Sequence, residues 1–188
     1  MVAQAQVGPV WTVEQYLALE RHSTVKHEYH QGQVYAMAGG TRAHSQIAGN
    51  VYALLRAAVR GSGCSALTSD IKIRQSPNDY VYADAVVTCD PRDEPPDQDW
   101  IAYPTLVVEV LSRSTERHDR HDKFDGYQGI ATLREYVLVD YRRREVEVWR
   151  LDDAGTWTAT TYGPGDAVAL TSVDLSMPMD SIYEDSGL

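Results

Sequence analysis

Apolar residues recur along this chain with two periods, and the two interleave from end to end. Near the N-terminus, Trp11-Thr12-Val13-Glu14-Gln15-Tyr16 opens a helix that runs to about Arg21. Thr12 supplies its N-cap, Gln15 completes a capping box, and Trp11 can staple onto Tyr16. Residues 26–37 read as a hairpin turning at Gly32, broken by Ala38-Gly39-Gly40. Thr41 then opens the longest helix, 42–60, where Ile47, Ala48, Val51, Leu54, Leu55 and Ala58 keep helical spacing until Gly61. His44 lies on the same inward stripe. Residues 64–74 and 80–89 each read as one strand, joined by the turn Ser76-Pro77-Asn78-Asp79. An acidic, proline-bearing loop over 90–100, expected to be solvated, leads to a strand over 105–111. A helix follows over 116–128, stopped at Gly129. Residues 135–140 and 145–150 form a second hairpin, and 156–162 and 167–170 are short strands around Gly163-Pro164-Gly165-Asp166. The tail 173–183 docks through Leu175, Met177, Ile182 and Tyr183. With 188 residues and neither repeat nor linker, the pattern predicts one mixed α/β domain with its core over about 11–184.

Two of the strands carry a carboxylate where the pattern calls for oil. In Leu106-Val107-Val108-Glu109-Val110-Leu111 a single acid interrupts a run apolar enough for a central strand covered on both faces. Asp84 sits likewise between Ala83 and Ala85, with Val86 and Val87 following. A buried charge costs several kcal/mol unless it is paired, hydrogen-bonded or on a metal. Two such acids close together repel unless a cation lies between them. On the next helix only Phe124 is apolar between Glu116 and Asp125, while Asp119, Lys123 and Tyr127 recur at i, i+4 and i+8 on one face. That face either stands in solvent as an ordinary Asp–Lys pair or turns back over the strand ends and brings Lys123 to Glu109. Acid, acid and lysine on strand, strand and helix suit divalent-metal hydrolysis.

Composition trims the alternatives. No apolar run approaches a membrane span, and the N-terminus lacks the basic start and apolar core of a signal peptide, which predicts a cytoplasmic protein. Cys64 and Cys89, outside any CxxC spacing, read as reduced, buried small residues of strands. The net charge of −10 opposes tight binding to nucleic acid, yet bases gather at Arg113, Arg117, Arg120, Lys123 and 142–144. Glu28 could add a carboxylate through water, or pair with Lys26 or another base. His44 could meet the site or be a hydrogen-bonded core histidine. Asp70 reads as surface, and His118 and His121, without a third ligand, as solvated.

The ordered series of short pieces resembles the PD-(D/E)XK nuclease superfamily, and within it the Uma-two branch of restriction-endonuclease-like proteins. The pieces are Glu28-Tyr29 with Gly32-Gln33-Val34-Tyr35, then Ala38-Gly39-Gly40-Thr41 with His44, then Ser69-Asp70-Ile71-Lys72. Tyr82-Ala83-Asp84, Val108-Glu109-Val110-Leu111-Ser112, Asp119 with Lys123 and Tyr127, and 134–140 complete it. The resemblance implies a restriction-endonuclease-like mixed central sheet flanked by helices, with added β-hairpins. It implies an endonuclease of DNA whose magnesium ion, or manganese in its place, is held by Asp84, Glu109 and the backbone carbonyl of Val110. The lysine expected two residues after the glutamate is Leu111 here, and Lys123 on the following helix takes its role. Ala83 stands where the pattern has proline, and Arg113 adds a cation near the carboxylates, available to a phosphate. Asp119, Glu28, His44 and Arg113 are accessory candidates. A homodimer would suit two-strand cleavage by symmetry. The rival readings are a non-catalytic interaction module with the same fold, and a phosphodiesterase acting on RNA or a small phosphoester.

Overall fold

The computed structural model describes residues 9–37 and 39–188, so the first eight residues and Ala38 of the expected break lie outside the description. The element order is α1 (Val13–Glu20), β1 (His27–His30), β2 (Gln33–Ala36), α2 (Arg42–Ala58), β3 (Ser65–Thr68), β4 (Lys72–Ser76), β5 (Asp79–Tyr82) and β6 (Ala85–Thr88). It continues through β7 (Trp100–Ile101), β8 (Pro104–Leu111), α3 (Glu116–His118), a π-helical turn (Asp119–Lys123), α4 (Phe124–Gln128), β9 (Glu135–Asp140) and β10 (Glu145–Leu151). The last elements are β11 (Trp157–Tyr162), β12 (Ala167–Leu170), β13 (Leu175–Pro178) and α5 (Met179–Tyr183). Together α3, the π turn and α4 make one continuous helical segment, called here the site helix. No helix among the described residues is long and apolar enough to cross a membrane.

The architecture is mixed α/β, as expected. A six-stranded sheet runs β11-β10-β9-β8-β6-β3, with β8 and β9 parallel and the remaining pairs antiparallel. Its period-two alternation sorts side chains to two faces. Leu106, Val108 and Val110 of β8 join Ile47, Val51 and Leu55 of α2 and the C-terminal Met177 and Ile182, as the tail was expected to do. Val107 and Leu111 face the other way, onto Phe124, Tyr127 and Tyr136 beneath the site helix. Glu109 is on this second face. A five-stranded sheet, β2-β1-β5-β4-β7, packs Tyr29 and Tyr80 against Tyr16 of α1. The capping box at Thr12 and Gln15 forms as the sequence predicts.

Three expectations are corrected. The stretches 64–74 and 80–89 are not single strands: each divides, sending its first or second half into a different sheet. The reason for the second division is Asp84 itself. Val110 N–H, which would continue the β6–β8 ladder, instead donates to Asp84 Oδ2 at 2.7 Å, while Asp84 N–H donates to Val108 O at 3.1 Å. A side chain thus occupies a rung that a backbone carbonyl would fill, and the chain crosses between sheets there. The loop over 90–100 is not wholly solvated, because Asp93 is buried and accepts from Thr88 Oγ1 and the N–H groups of Ala102 and Tyr103. Finally, Cys64 and Cys89 are neither reduced nor fully buried: they form a disulfide that ties the antiparallel β3–β6 pair one step beyond the Ser65–Thr88 rung. Spacing gives no hint of this, because the pairing register brings the two together across 25 residues.

Candidate active site

Four carboxylates and one ammonium meet where the two sheets adjoin. Lys123 Nζ, on a side chain with 5% of its residue surface exposed, donates to the Tyr82 carbonyl at 2.7 Å and to Glu109 Oε1 at 3.2 Å. It lies 3.0 Å from Glu28 Oε1 and 3.6 Å from Asp119 Oδ1. Tyr127 OH donates to the same Glu109 oxygen at 3.2 Å. Tyr82 N–H donates to Glu28 Oε1 at 3.1 Å, so Tyr82 contacts the cluster with both its backbone groups. Glu28 pairs not with Lys26, which reaches Asp70 at 2.6 Å, but with Lys123. Asp70 is a surface acid as read.

The lysine comes to this point through an irregular helix. The π turn frees backbone carbonyls from regular helical bonding, a cost that must be met by other donors. Tyr136 OH of β9 donates to Asp119 O at 2.8 Å, and Gln75 Nε2 of β4 donates to Lys123 O at 2.9 Å. A Cβ on Gly126 would lie 2.4 Å from Gln75 Oε1, so the amide fits only because that residue is glycine. Each sheet thus donates a side-chain hydrogen bond to one carbonyl of the turn. With the turn in place Asp119, Lys123 and Tyr127 are all buried, and the solvated reading of that face is excluded.

On the opposite side of Asp84, α2 starts. Thr41 caps its first turn, and His44 Nε2 lies 3.4 Å from Asp84 Oδ2. Gly40 leaves room for that imidazole, since a Cβ there would be 2.9 Å from His44 Nδ1. His44 is therefore at the site and not merely a core histidine. Its hydrogen bond to Asp84 raises its pKa above the ordinary histidine value, against the cost of burial, with the Val110 carbonyl acting in the same direction as Asp84. His118 Nε2 is 3.5 Å from Glu28 Oε2 and its Nδ1 3.0 Å from Asp122, so it is an outer member of the cluster while His121 is not. Arg113 is exposed on the turn after β8 and joins none of these contacts among the described residues.

The charges do not balance. Burial raises the Glu109 carboxyl well above the usual range; Lys123 opposes this, and Asp119, Asp84 and Glu28 add to it. Asp119 is raised by burial too. Glu28 goes the other way: burial would raise it, but His118 and Lys123 hold it at about 2. Lys123, with three carboxylates around it, stays an ammonium. Three acids around one lysine, with a fourth, Asp84, beside His44, leave carboxylates in excess of cations, which favours a further cation. The spare oxygens are in the right places: Asp84 Oδ2 and Glu109 Oε1 are engaged, while Asp84 Oδ1 and Glu109 Oε2 accept no hydrogen bond among the described residues. All are hard oxygen donors, the set that suits magnesium. No three His, Cys, Asp or Glu side chains converge as a metal cluster among the described residues, so a third protein donor would have to be a carbonyl such as that of Val110.

Several known proteins are similar to this chain in sequence or in fold. In the curated set, a Synechocystis sp. protein known as uncharacterized protein slr1290 is 40% identical over 176 residues, 93% of this chain and 92% of its own. A second Synechocystis sp. protein, uncharacterized protein sll1609, is 29% identical over 80% of this chain and 86% of its own. Among solved structures, a protein from Anabaena variabilis described as "a putative nuclease belonging to DUF820" superposes with a TM-score of 0.75 at 16% identity, covering 92% of this chain and 97% of that one. That likeness establishes a shared fold. The family Uma2, described as "Putative restriction endonuclease", matches residues 13–180. The chain belongs to the Uma2 family.

Proposed function

We propose that this protein is a magnesium-dependent endonuclease that hydrolyses DNA phosphodiester bonds, with manganese able to replace magnesium, and that it works in the cytoplasm as a homodimer. The observation that carries this reading is Lys123: a buried ammonium delivered by a π turn to the only strand glutamate of β8, beside an aspartate at a sheet crossing. Asp84, Glu109 and the Val110 carbonyl would hold the metal. A divalent cation held there would supply polarisation of a phosphoryl oxygen and a lower pKa for a nearby water. The chain's own groups do the rest. Lys123 carries three protons for hydrogen bonds and uses them on Tyr82 O and carboxylates; a water or phosphoryl oxygen reaching Glu109 would meet the same ammonium, which orients it and offsets developing negative charge. Tyr127 and Tyr82 fix Glu109 and Lys123 in place, and so confine their freedom before substrate arrives. His44, with Nε2 at Asp84 Oδ2, would orient that carboxylate toward the metal.

The test is magnesium titration by calorimetry on wild type, Asp84→Ala and Glu109→Ala, followed by cleavage assays on supercoiled DNA at low salt. Metal binding lost in both variants, with cleavage by wild type alone, is expected. Binding without cleavage of DNA would redirect the reading to RNA or a small phosphoester, which the net charge of −10 accommodates more easily. Absence of binding would leave a non-catalytic interaction module.

A further inference from the structure

The last strand of the six-stranded sheet, β11, is an open edge, and its sequence is compatible with itself. It is six residues long, Trp157-Thr158-Ala159-Thr160-Thr161-Tyr162, and the four middle residues are exposed, so side chains on both faces of the sheet stand in solvent there. Edges of this kind are usually blunted by charge, proline or a bulge. This one has none of the three: it carries no charge in a chain of net −10, no proline, and its ladder to β10 is unbroken from Val146–Tyr162 to Leu151–Trp157.

Which backbone groups are free follows from the ladder. Leu151 N–H donates to Arg134 O, away from β11, while Asp152 N–H donates to Thr156 O. Leu151–Trp157 is therefore a pair without mutual hydrogen bonds, and alternation makes Trp149–Ala159 and Glu147–Thr161 the same. The N–H and C=O groups of Trp157, Ala159 and Thr161 point outward. No backbone bond outside the ladder uses them among the described residues.

We infer that β11 pairs antiparallel with β11 of a second copy, the two-fold axis passing at Ala159, so that the six-stranded sheet continues across the dimer. Outward groups must face outward groups, which restricts the symmetric registers, and centring on Ala159 uses all three residues. Trp157 then faces Thr161 of the second copy, Thr158 faces Thr160, and Ala159 faces itself. Thr–Thr and aromatic–β-branched neighbours are favourable cross-strand pairs, and no like charges are opposed within the strand. A two-fold isologous contact of this kind closes at two copies. Asp152, Asp153 and Asp166 flank the strand at its ends, so salt should tighten the contact by screening them. This inference rests on the homodimer in the functional reading and is independent of its chemistry.

The experiment is sedimentation velocity over a concentration series, at low and moderate salt, on wild type, Ala159→Lys, Ala159→Glu and Ala159→Pro, with circular dichroism to show that each is folded. Ala159 is exposed and its N–H faces outward, so all three substitutions leave the β10–β11 ladder its donors. Wild type should dimerise, each variant should dissociate at least ~10-fold more readily, and mixing the Lys and Glu variants should restore the dimer, because opposite charges then meet at the axis. A wild type that stays monomeric, or a dimer indifferent to all three substitutions, overturns the inference. Neither result depends on metal binding or cleavage, so failure here is distinct from failure of the nuclease reading.

Discussion

Lys123 is the residue on which the site's electrostatics turn, because Glu28, Glu109 and Asp119 all depend on it. Lys123→Met should abolish cleavage, a loss of at least ~100-fold in kcat with metal present. It should also cost about 3 kcal/mol of stability, since it leaves buried carboxylates without a counter-charge. Urea titration beside a cleavage assay checks both, and retained activity would remove Lys123 from the reaction. Glu109 should behave in the opposite sense for stability. Its carboxyl is raised by burial, so at neutral pH its ionised form opposes folding; Glu109→Gln should stabilise the metal-free protein by on the order of 1 kcal/mol while ending cleavage. A lower melting temperature for that variant would contradict the excess of carboxylates over cations. Glu28 supplies a pH signature. Its folded pKa, about 2, lies below the ordinary glutamate value, so the folded state binds fewer protons there than the unfolded. The stabilisation is complete above the ordinary glutamate range and is lost as pH falls through it towards about 2. Wild type should therefore lose stability over that window more steeply than Glu28→Gln, measured by urea denaturation at a series of pH values.

At the scale of elements, the π turn is what makes the site helix a site. Gly126→Ala places a methyl 2.4 Å from Gln75 Oε1, and since that atom is the end of a flexible side chain, the amide swings away rather than the backbone. The carbonyl of Lys123 then loses its donor, at a cost of about 1 kcal/mol. Gln75→Leu should do the same, and both should lower cleavage more than they lower stability, with far-UV circular dichroism unchanged. Equal activity in both would mean that Lys123 holds its place without the turn. This element also divides what sequence could tell from what it could not. Glu109 and Asp84 were legible as lone acids in apolar runs, and Lys123 as one of three residues on a polar helix face. Of the partners that hold them, Glu28 was legible as an accessory candidate but the others were not: Gln75 and Tyr136 come from different sheets, and the Tyr82 group that accepts from Lys123 is a backbone carbonyl that no residue type announces. The one available signal was Gly126, a glycine inside a helix, which marks a close approach without naming what approaches. The divided strand 80–89 was hidden for a related reason. Apolar periodicity runs through Asp84 unbroken, and only the rung taken by its side chain ends the ladder.

For the molecule as a whole, the disulfide ties stability to surroundings. Cys64 and Cys89 close a loop with a separation of 25 residues, and the chain-entropy account assigns such a crosslink about 3 kcal/mol, acting on the unfolded chain. The bond joins β3 to the far end of β6, at the opposite end of that strand from Asp84, so it stabilises the sheet without touching the carboxylates. Reduction should therefore separate two properties that usually fall together. Adding a thiol reductant, or replacing both residues in a Cys64→Ser, Cys89→Ser variant, should lower the urea midpoint by an amount equivalent to about 3 kcal/mol. Magnesium affinity and cleavage at 25 °C should stay as they were, because β6 remains paired along both edges, with β3 and with β8. If cleavage fell in step with stability, the sheet crossing at Asp84 would have to be strained or slack without the bond, and the carboxylate geometry would depend on the oxidation state of a pair of sulfurs at the other end of the strand.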